Sequence, residues 1–280
     1  MTDAISADYI CAVLGDPIEH SQSPTLHNAA YAALGLNWTY GRHLVPAGGL
    51  AAFLATCGPD VRGLSLTMPL KREALPLVAS MSPRARTAGA INTLVRTSYG
   101  WAGDNTDLPG AVAAIRERSS HPIVHAAILG AGATAASIGL AVAELGAEHI
   151  SILARHAERA GETVSVLDDQ YHRVGVSVDP IETVLENVDI LISTIPAAAQ
   201  TPDLVARYKD IPIIFDAIYD PWPTPLASAA TGAVVSGHDL LIHQAALQFE
   251  LFTGQVAPME AMRASLEPAV LEDLIEAPAG

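Results

Sequence analysis

Lys71 is one of only two lysines in a chain of 280 residues, the other being Lys209. It ends the stretch Gly63-Leu64-Ser65-Leu66-Thr67-Met68-Pro69-Leu70-Lys71, in which small or polar residues alternate with apolar ones until a proline interrupts. That is the pattern of a short buried strand, and an amine just past its end can give and take a proton, since burial and neighbours tune a lysine as they cannot tune an arginine. The plainer reading is a solvated lysine opening a helix at 71–75. Asp107 is the second candidate. It follows Gly103-Asp104-Asn105-Thr106 at the entry to a helix expected over 111–117, where a carboxylate either serves the helix start or works at a joint between domains. Ser21 and Ser23 precede a third helix. Ser23-Pro24 reads as a side-chain cap followed by a first-turn proline, with Leu26, Ala29, Ala30 and Ala33 as the apolar face and Gly35 as the stop. Two hydroxyls at a helix start could equally hold a carboxylate. Gln244 lies close to the apolar stripe of a helix expected over 237–254; buried, its amide would need partners, which a polyol could supply.

A different chemistry is written in residues 125–153. A strand at 125–129 runs into Gly130-Ala131-Gly132-Ala133-Thr134-Ala135, then a helix at 136–145 and a second strand at 149–153. This GxGxx(G/A) turn in a βαβ setting is a dinucleotide fingerprint: Gly130 makes the turn, Gly132 admits a pyrophosphate to the backbone, and Ala135 permits close helix packing. At the end of the second strand, where a ribose-reading carboxylate would announce NAD, the chain has Ala154-Arg155-His156. A guanidinium there suits a 2′-phosphate, so the expected cofactor is NADP. Further strand ends carry Ser193-Thr194-Ile195-Pro196 and the proline-dense Asp216-Ala217-Ile218-Tyr219-Asp220-Pro221-Trp222-Pro223-Thr224-Pro225. Ligands bind at the carboxyl ends of strands in open sheets.

The elements that must position these groups follow from length and composition. Half of the residues are apolar and aromatics are scarce, which suits two tightly packed α/β cores. A formal charge of −15 argues against a nucleic-acid or anionic-membrane partner. Cys11 and Cys57 have no metal or disulfide spacing, and no metal site is read anywhere in the chain. The absence of a basic, apolar leader and of any long apolar run leads us to expect a cytoplasmic protein.

Taken together, the motifs resemble the shikimate dehydrogenase family, closest to its actinobacterial forms. The resemblance rests on GDPIEHSQSPTLHN (15–28), GLSLTMPLK (63–71), AGAINTL (88–94), GDNTD (103–107), GAGATAA (130–136), STIP (193–196), DAIYDPWPTPL (216–226) and GHDLLIHQAALQFELFTG (237–254). It implies an α/β fold of two domains with the site in the cleft between them. The first, residues 1–104 completed by 238–280, would be the substrate domain; the second, 105–237, a Rossmann-type NADP domain. It implies reversible NADP-dependent reduction of 3-dehydroshikimate to shikimate, in aromatic amino acid biosynthesis, by a monomer or homodimer. Lys71 and Asp107 would be the catalytic pair. Ser21, Ser23, Ser65, Thr67, Asn92, Tyr219 and Gln244 would hold substrate. Gly130, Ala131, Gly132, Ala133, Thr134, Ala135, Arg155, Thr194, Ile195, Gly237 and Leu240 would hold cofactor. Three positions depart from the wider family: Ser65 stands for the usual Asn, Leu240 for a common Met, and Ala133 for a second glycine. The alternatives are an NAD-dependent quinate/shikimate dehydrogenase and a catalytically silent paralogue that binds nucleotide or substrate.

Overall fold

A computed structural model describes residues 7–170 and 174–266. The acidic stretch after Leu266 lies outside these residues. The chain divides into two compact units: one of residues 1–86, 90–106 and 245–280, the other of 87–89 and 107–244.

Unit 1 runs β1 (Tyr9–Gly15), α1 (Ser23–Ala33), β2 (Trp38–Leu44), α2 (Leu50–Thr56), β3 (Val61–Leu66), α3 (Leu70–Glu73), β4 (Ser80–Met81), α4 (Pro83–Ala88), β5 (Thr93–Thr97) and β6 (Gly100–Asp104). Its six strands form one mixed sheet in the order β2-β1-β3-β5-β6-β4, with β5 antiparallel to both β3 and β6. A hairpin turning at Ser98-Tyr99 joins β5 to β6. Alternate residues of β1 and β3 (Ala12, Leu14, Leu64, Leu66) enter a core closed by Leu50, Leu70, Ile91, Leu94 and Trp101. The alternate residues Cys11, Val13 and Ser65 are buried as well, so both faces of these strands are covered.

Unit 2 runs α5 (Asp107–Arg118), β7 (His125–Leu129), α6 (Ala133–Glu144), β8 (His149–Ala154), α7 (Gly161–Gln170), β9 (Gly175–Pro180), β10 (Ile190–Ser193), α8 (Pro202–Tyr208), β11 (Ile213–Asp216), α9 (Pro225–Ala229), β12 (Ala233–Val235) and α10 (Gly237–Thr253); α11 (Met259–Ala264) follows. Its sheet, in the order β12-β11-β10-β7-β8-β9, is parallel throughout. Read from β9, that is the doubly wound dinucleotide order, with its reversal between β7 and β10. Ala126, Ile128, Ile150, Ile152, Ile190 and Ile192 bury one face under α5 and α6 residues, while Ala127, Leu129, Leu153, Leu191 and Ile214 meet Leu204 and Tyr208 on the other. Burial on both faces explains why these strands read as unbroken apolar runs. The first eight residues of α10 belong to unit 2 and the rest to unit 1. No helix among the described residues is long and apolar enough to cross a membrane.

Two local expectations need correction. Gln22, already in the αR region, is the residue preceding α1; Ser23 is its first helical residue and no side chain caps the helix. The buried face of α1 is Ser23, Pro24, Leu26, His27, Ala30 and Tyr31, while Ala33 is exposed. Two aromatic rings with polar atoms fill the stripe because they find stacking partners: His27 lies on Tyr40 with ring centroids 4.1 Å apart and planes 5° from parallel.

Candidate active site

In unit 1 the candidate residues gather at the carboxyl ends of β1 and β3. The chain beyond β3 crosses β1 closely: the Thr67 amide donates to the Leu14 carbonyl (2.9 Å) and the Asp16 amide to that of Met68 (2.9 Å). A Cβ at Gly15 would sit 2.3 Å from the Thr67 methyl, so this crossing requires glycine. Lys71 is the second residue of α3, seated by Leu70, which is fully buried, and by the Ile91 amide, which donates to the Lys71 carbonyl at 2.7 Å. That bond places the backbone of Lys71 one residue from Asn92. Glu73 reaches from α3 to the start of α2, accepting from the amides of Gly48 (2.8 Å) and Leu50 (2.9 Å); it satisfies helix-start donors that no local side chain caps.

Ser65 and Asn92 are brought together by a residue that the sequence reading missed. Gln248 of α10 accepts from the Ser65 hydroxyl (2.8 Å) and donates to the Asn92 carbonyl and to the Thr93 hydroxyl (both 3.0 Å). Thr93 passes its own proton to Asn92 Oδ1 (2.7 Å), which also accepts from the Thr106 amide (2.8 Å), while Asn92 Nδ2 donates to the Thr106 hydroxyl (2.9 Å). At the other end the Tyr40 hydroxyl donates to Ser65 (2.5 Å). Ser65, Asn92, Thr93, Thr106 and Gln248 are all buried. Ser65 therefore donates inward and keeps at most one acceptor position for a ligand. A signal for Gln248 existed: it stands four residues after Gln244, one helical turn along the same stripe.

The segment that leads to Asp107 is held just as firmly. Arg84 grips Asp104 with two bonds of 2.6 Å, and Ser82 adds a third at 2.5 Å. Burial alone would raise the Asp104 carboxyl, but these donors hold it below its ordinary value.

Unit 2 carries the rest. Asp107 is buried and is the first residue of α5. Three residues on, Gly110 meets the backbone of Gln244, where a Cβ would lie 3.0 Å from its amide nitrogen. Gln244 is buried and its amide donates to the Leu241 carbonyl (3.0 Å). Tyr219 stands on the proline-rich loop after β11 with its ring 5.5 Å from that of His238. Asp216 anchors this loop: it accepts from Thr224 (2.6 Å), Gln200 (2.7 Å) and the Ile218 amide (3.1 Å). Its burial raises the carboxyl's pKa despite those donors.

The glycine turn sits at the carboxyl end of β7, where the strand order reverses. Gly130 has φ +102°, and a Cβ there would stand 2.4 Å from the Thr194 hydroxyl, which donates to the Leu129 carbonyl (2.9 Å). Thr194 and Ile195 thus close the turn from β10. Gly132 precedes α6 and, as its N-cap residue, brings no side-chain cap. A pyrophosphate fits such an uncapped start, which offers backbone donors and the positive end of a dipole. Ala131 accepts from the Thr163 hydroxyl (2.9 Å), and Ala135 is fully buried against the sheet. Arg155 is exposed directly beyond β8; the ion pair at this corner is His156–Glu158 at 3.5 Å. At the other end of the unit, Ser236 and Asp239 cap α10 reciprocally, each side chain bonding to the other's amide (3.1 and 2.9 Å). Arg118 clamps Asp239 from α5 at 2.5 and 3.1 Å. This fixes the first turn of α10, which bears Gly237 and Leu240, the latter packed in the unit 2 core.

Comparison with known proteins agrees with this geometry along the chain. Residues 13–94 match the shikimate dehydrogenase substrate binding domain, residues 114–207 the shikimate / quinate 5-dehydrogenase model, and residues 237–267 the shikimate 5'-dehydrogenase C-terminal domain. The shikimate dehydrogenase (NADP(+)) of Microcystis aeruginosa is 32% identical over 273 residues, covering 92% of this chain and 96% of its own. The crystal structure of Mycobacterium tuberculosis shikimate dehydrogenase superposes with a TM-score of 0.84 at 42% identity, over 93% of this chain and 99% of that one. Quinate dehydrogenase from Corynebacterium glutamicum, solved with NAD, also reaches 0.84, but at 26% identity over 94% and 99% of the two chains. The backbone is therefore common to both branches, and the identity lies with the first. The chain belongs to the shikimate dehydrogenase family.

Proposed function

We propose that this chain is an NADP-dependent shikimate dehydrogenase that interconverts 3-dehydroshikimate and shikimate. The observation that carries the cofactor choice is Arg155, exposed directly after β8 at the place where a ribose-reading carboxylate would select NAD. NADPH, when bound, supplies the hydride that reduces the ketone carbon. The ammonium of Lys71 polarises the ketone oxygen and gives it a proton, and Asp107 holds lysine and substrate hydroxyl in line. Ser21 and Ser23 bind the carboxylate with hydroxyls at the start of α1, where the uncapped helix adds its amides. Thr67, Asn92, Tyr219 and Gln244 read the ring, while Ser65 offers one acceptor. Asn92 reads it with a rigid group, since both ends of its amide are already oriented by Thr93 and Thr106. Pre-oriented donors lose little freedom on binding. A cytoplasmic location and a monomer or homodimer go with this reading.

The test is shikimate-dependent reduction of NADP and of NAD by the purified protein, with quinate as the competing substrate. The expected result is turnover of shikimate with NADP well above every other pairing. Preference for quinate with NAD would transfer the chain to the other branch, and no turnover with any pairing would make it a silent binding protein.

A further inference from the structure

Gln248 of α10 is buried in unit 1, and no step of the proposed reaction uses it. It nevertheless joins Ser65 to Asn92 and Thr93, and the direction of every bond it makes follows from one group. The backbone carbonyl of Asn92 only accepts, and it lies 3.0 Å from one end of the Gln248 amide; that end is therefore Nε2 and the other Oε1. The second proton of Nε2 goes to the Thr93 hydroxyl (3.0 Å). On the other side Oε1 only accepts, so the Ser65 hydroxyl gives it a proton (2.8 Å) and itself accepts from Tyr40 (2.5 Å).

The same direction runs on into Asn92. Thr93, which accepts from Gln248, gives its own proton to Asn92 Oδ1 (2.7 Å), and the Thr106 amide takes the second lone pair of that oxygen (2.8 Å). Asn92 is thus left to meet a ligand through its amino end, as a donor. Ser65, its one proton already given inward, is left to meet a ligand as an acceptor. Turning any of these bonds round would set two donors or two acceptors face to face in a buried place, which costs more than the bond itself contributes.

We propose that Gln248 is a positioning residue that sets the hydrogen-bond polarity of the substrate pocket, so that the ring oxygen meeting Ser65 is recognised by the proton it donates. The inference rests on the reading that Ser65 and Asn92 face the substrate ring. A hydroxyl satisfies such an acceptor, whereas a ketone, an ether or a fluorine sets lone pairs against lone pairs. Ser65 cannot turn its proton outward to meet them without giving up its bond to Gln248 Oε1. A site built to accept from a hydroxyl rejects an analogue lacking that proton more strongly than an apolar pocket rejects a change of shape. Leucine at 248 would remove the acceptor, release the Ser65 proton to the ligand and abolish the distinction.

Titration calorimetry with shikimate, and with analogues carrying fluorine in place of one unreacted ring hydroxyl, tests this. Fluorine fills the place of the oxygen but has no proton to give. We expect the wild type to bind at least one analogue about tenfold or more weaker than shikimate, and Gln248→Leu to close that gap to within about threefold. Gln248→Glu keeps the shape and gives a second readout should the leucine variant misfold. Its protonated carboxyl still accepts from Ser65 and donates to the Asn92 carbonyl; ionised, it repels that carbonyl and draws the Thr93 proton away from Asn92 Oδ1. Its shikimate affinity should therefore fall as pH rises through the carboxyl's pKa, on a limb that the wild type lacks and that a merely space-filling residue would not produce. Asn92→Ala is the reference for substrate contact. If it weakens shikimate binding while Gln248→Leu keeps the fluorine gap, or Gln248→Glu shows no such limb, Gln248 has no positioning role and the substrate reading stands. A wild type that binds every analogue as tightly as shikimate likewise overturns the proposal. If Asn92→Ala leaves shikimate affinity unchanged, the substrate reading fails and the role of Gln248 with it.

Discussion

The two units present their candidate residues by opposite means. In unit 1 Ser65 and Asn92 belong to the interior: both are less than 5% exposed and sit in a network that runs from Tyr40 to Thr106, while Ser21, Thr67 and Lys71 are half-buried at its edge. In unit 2 the groups proposed to hold the cofactor are mainly backbone and small side chains on a turn, with one exposed guanidinium beyond it. The difference follows from what each must recognise. A ring with several hydroxyls is told from its relatives by donors and acceptors at fixed positions, and fixed side chains need buried partners. A pyrophosphate is recognised by amides that the fold supplies in any case. Fold and recognition are therefore coupled in unit 1 and nearly separable in unit 2.

Four measurements sharpen or break that contrast. Lys71→Ala should have the largest effect: turnover falls by about two orders of magnitude or more while shikimate binding stays within several-fold. Near-normal kcat would remove Lys71 from the chemistry. Next comes Arg155→Ala, which should raise the KM for NADP about tenfold to a hundredfold through loss of charged hydrogen bonds to the phosphate. The KM for NAD should be nearly unchanged, and thermal stability should stay at the wild-type value within error, since the residue is exposed. Retained NADP preference would move phosphate recognition elsewhere.

Ser65→Ala is the counterpart in unit 1. It strands Gln248 Oε1 and the Tyr40 hydroxyl, and we expect it to cost about 1–3 kcal/mol in a urea unfolding curve. If it proves as neutral as Arg155→Ala, the coupling of fold and recognition does not exist at this position.

The smallest effect is a slope. His27 is completely buried, and among the described residues its two ring nitrogens make no hydrogen bond of good geometry, with Gln248 only nearby. Burial pulls its pKa down to about 3, only weakly opposed by the nearby Gln248. The unfolded chain binds a proton to this ring near pH 6.5, so between there and about pH 3 it holds more protons than the folded one. The stability tied to a neutral His27 is thus complete above about pH 6.5 and is lost as pH falls, by at most about 1.4 kcal/mol per pH unit. His27→Phe, which preserves the stacking on Tyr40, should flatten the acid limb of stability against pH. An unchanged slope would show that His27 titrates alike in both states.

The same contrast governs how much could be read in advance. The βαβ unit with its glycine turn was legible because its signals are local and its strands, buried on both faces, are plain apolar runs. β7 carries the very bounds that the sequence suggested. In unit 1 the residues were found by motif, but what holds them was not: Gln248 meets Ser65 across 183 positions and Asn92 across 156. No periodicity encodes such a pairing. Ser23 misled for a related reason. Serine before proline is a sound capping signal, yet the αR geometry of Gln22 started the helix one residue early. His27 and Tyr31 escaped because an apolar-stripe reading passes over rings that carry polar atoms.

The division of the chain, with unit 2 inserted between the parts of unit 1, also bears on its birth at the ribosome. β3 leans on Phe252, whose ring lies 2.1 Å from where a Cβ of Gly63 would be, and Tyr31 of α1 stacks on Phe249 at 5.6 Å. Those rings emerge only after the whole of unit 2 has been synthesised. At about 5–20 residues per second, the first 106 residues wait roughly 7–30 seconds for the segment that completes their core. Over that interval unit 1 lacks the rings that cover its core, whereas unit 2, whose strands all lie between Asp107 and Gln244, has them in hand as it leaves the tunnel.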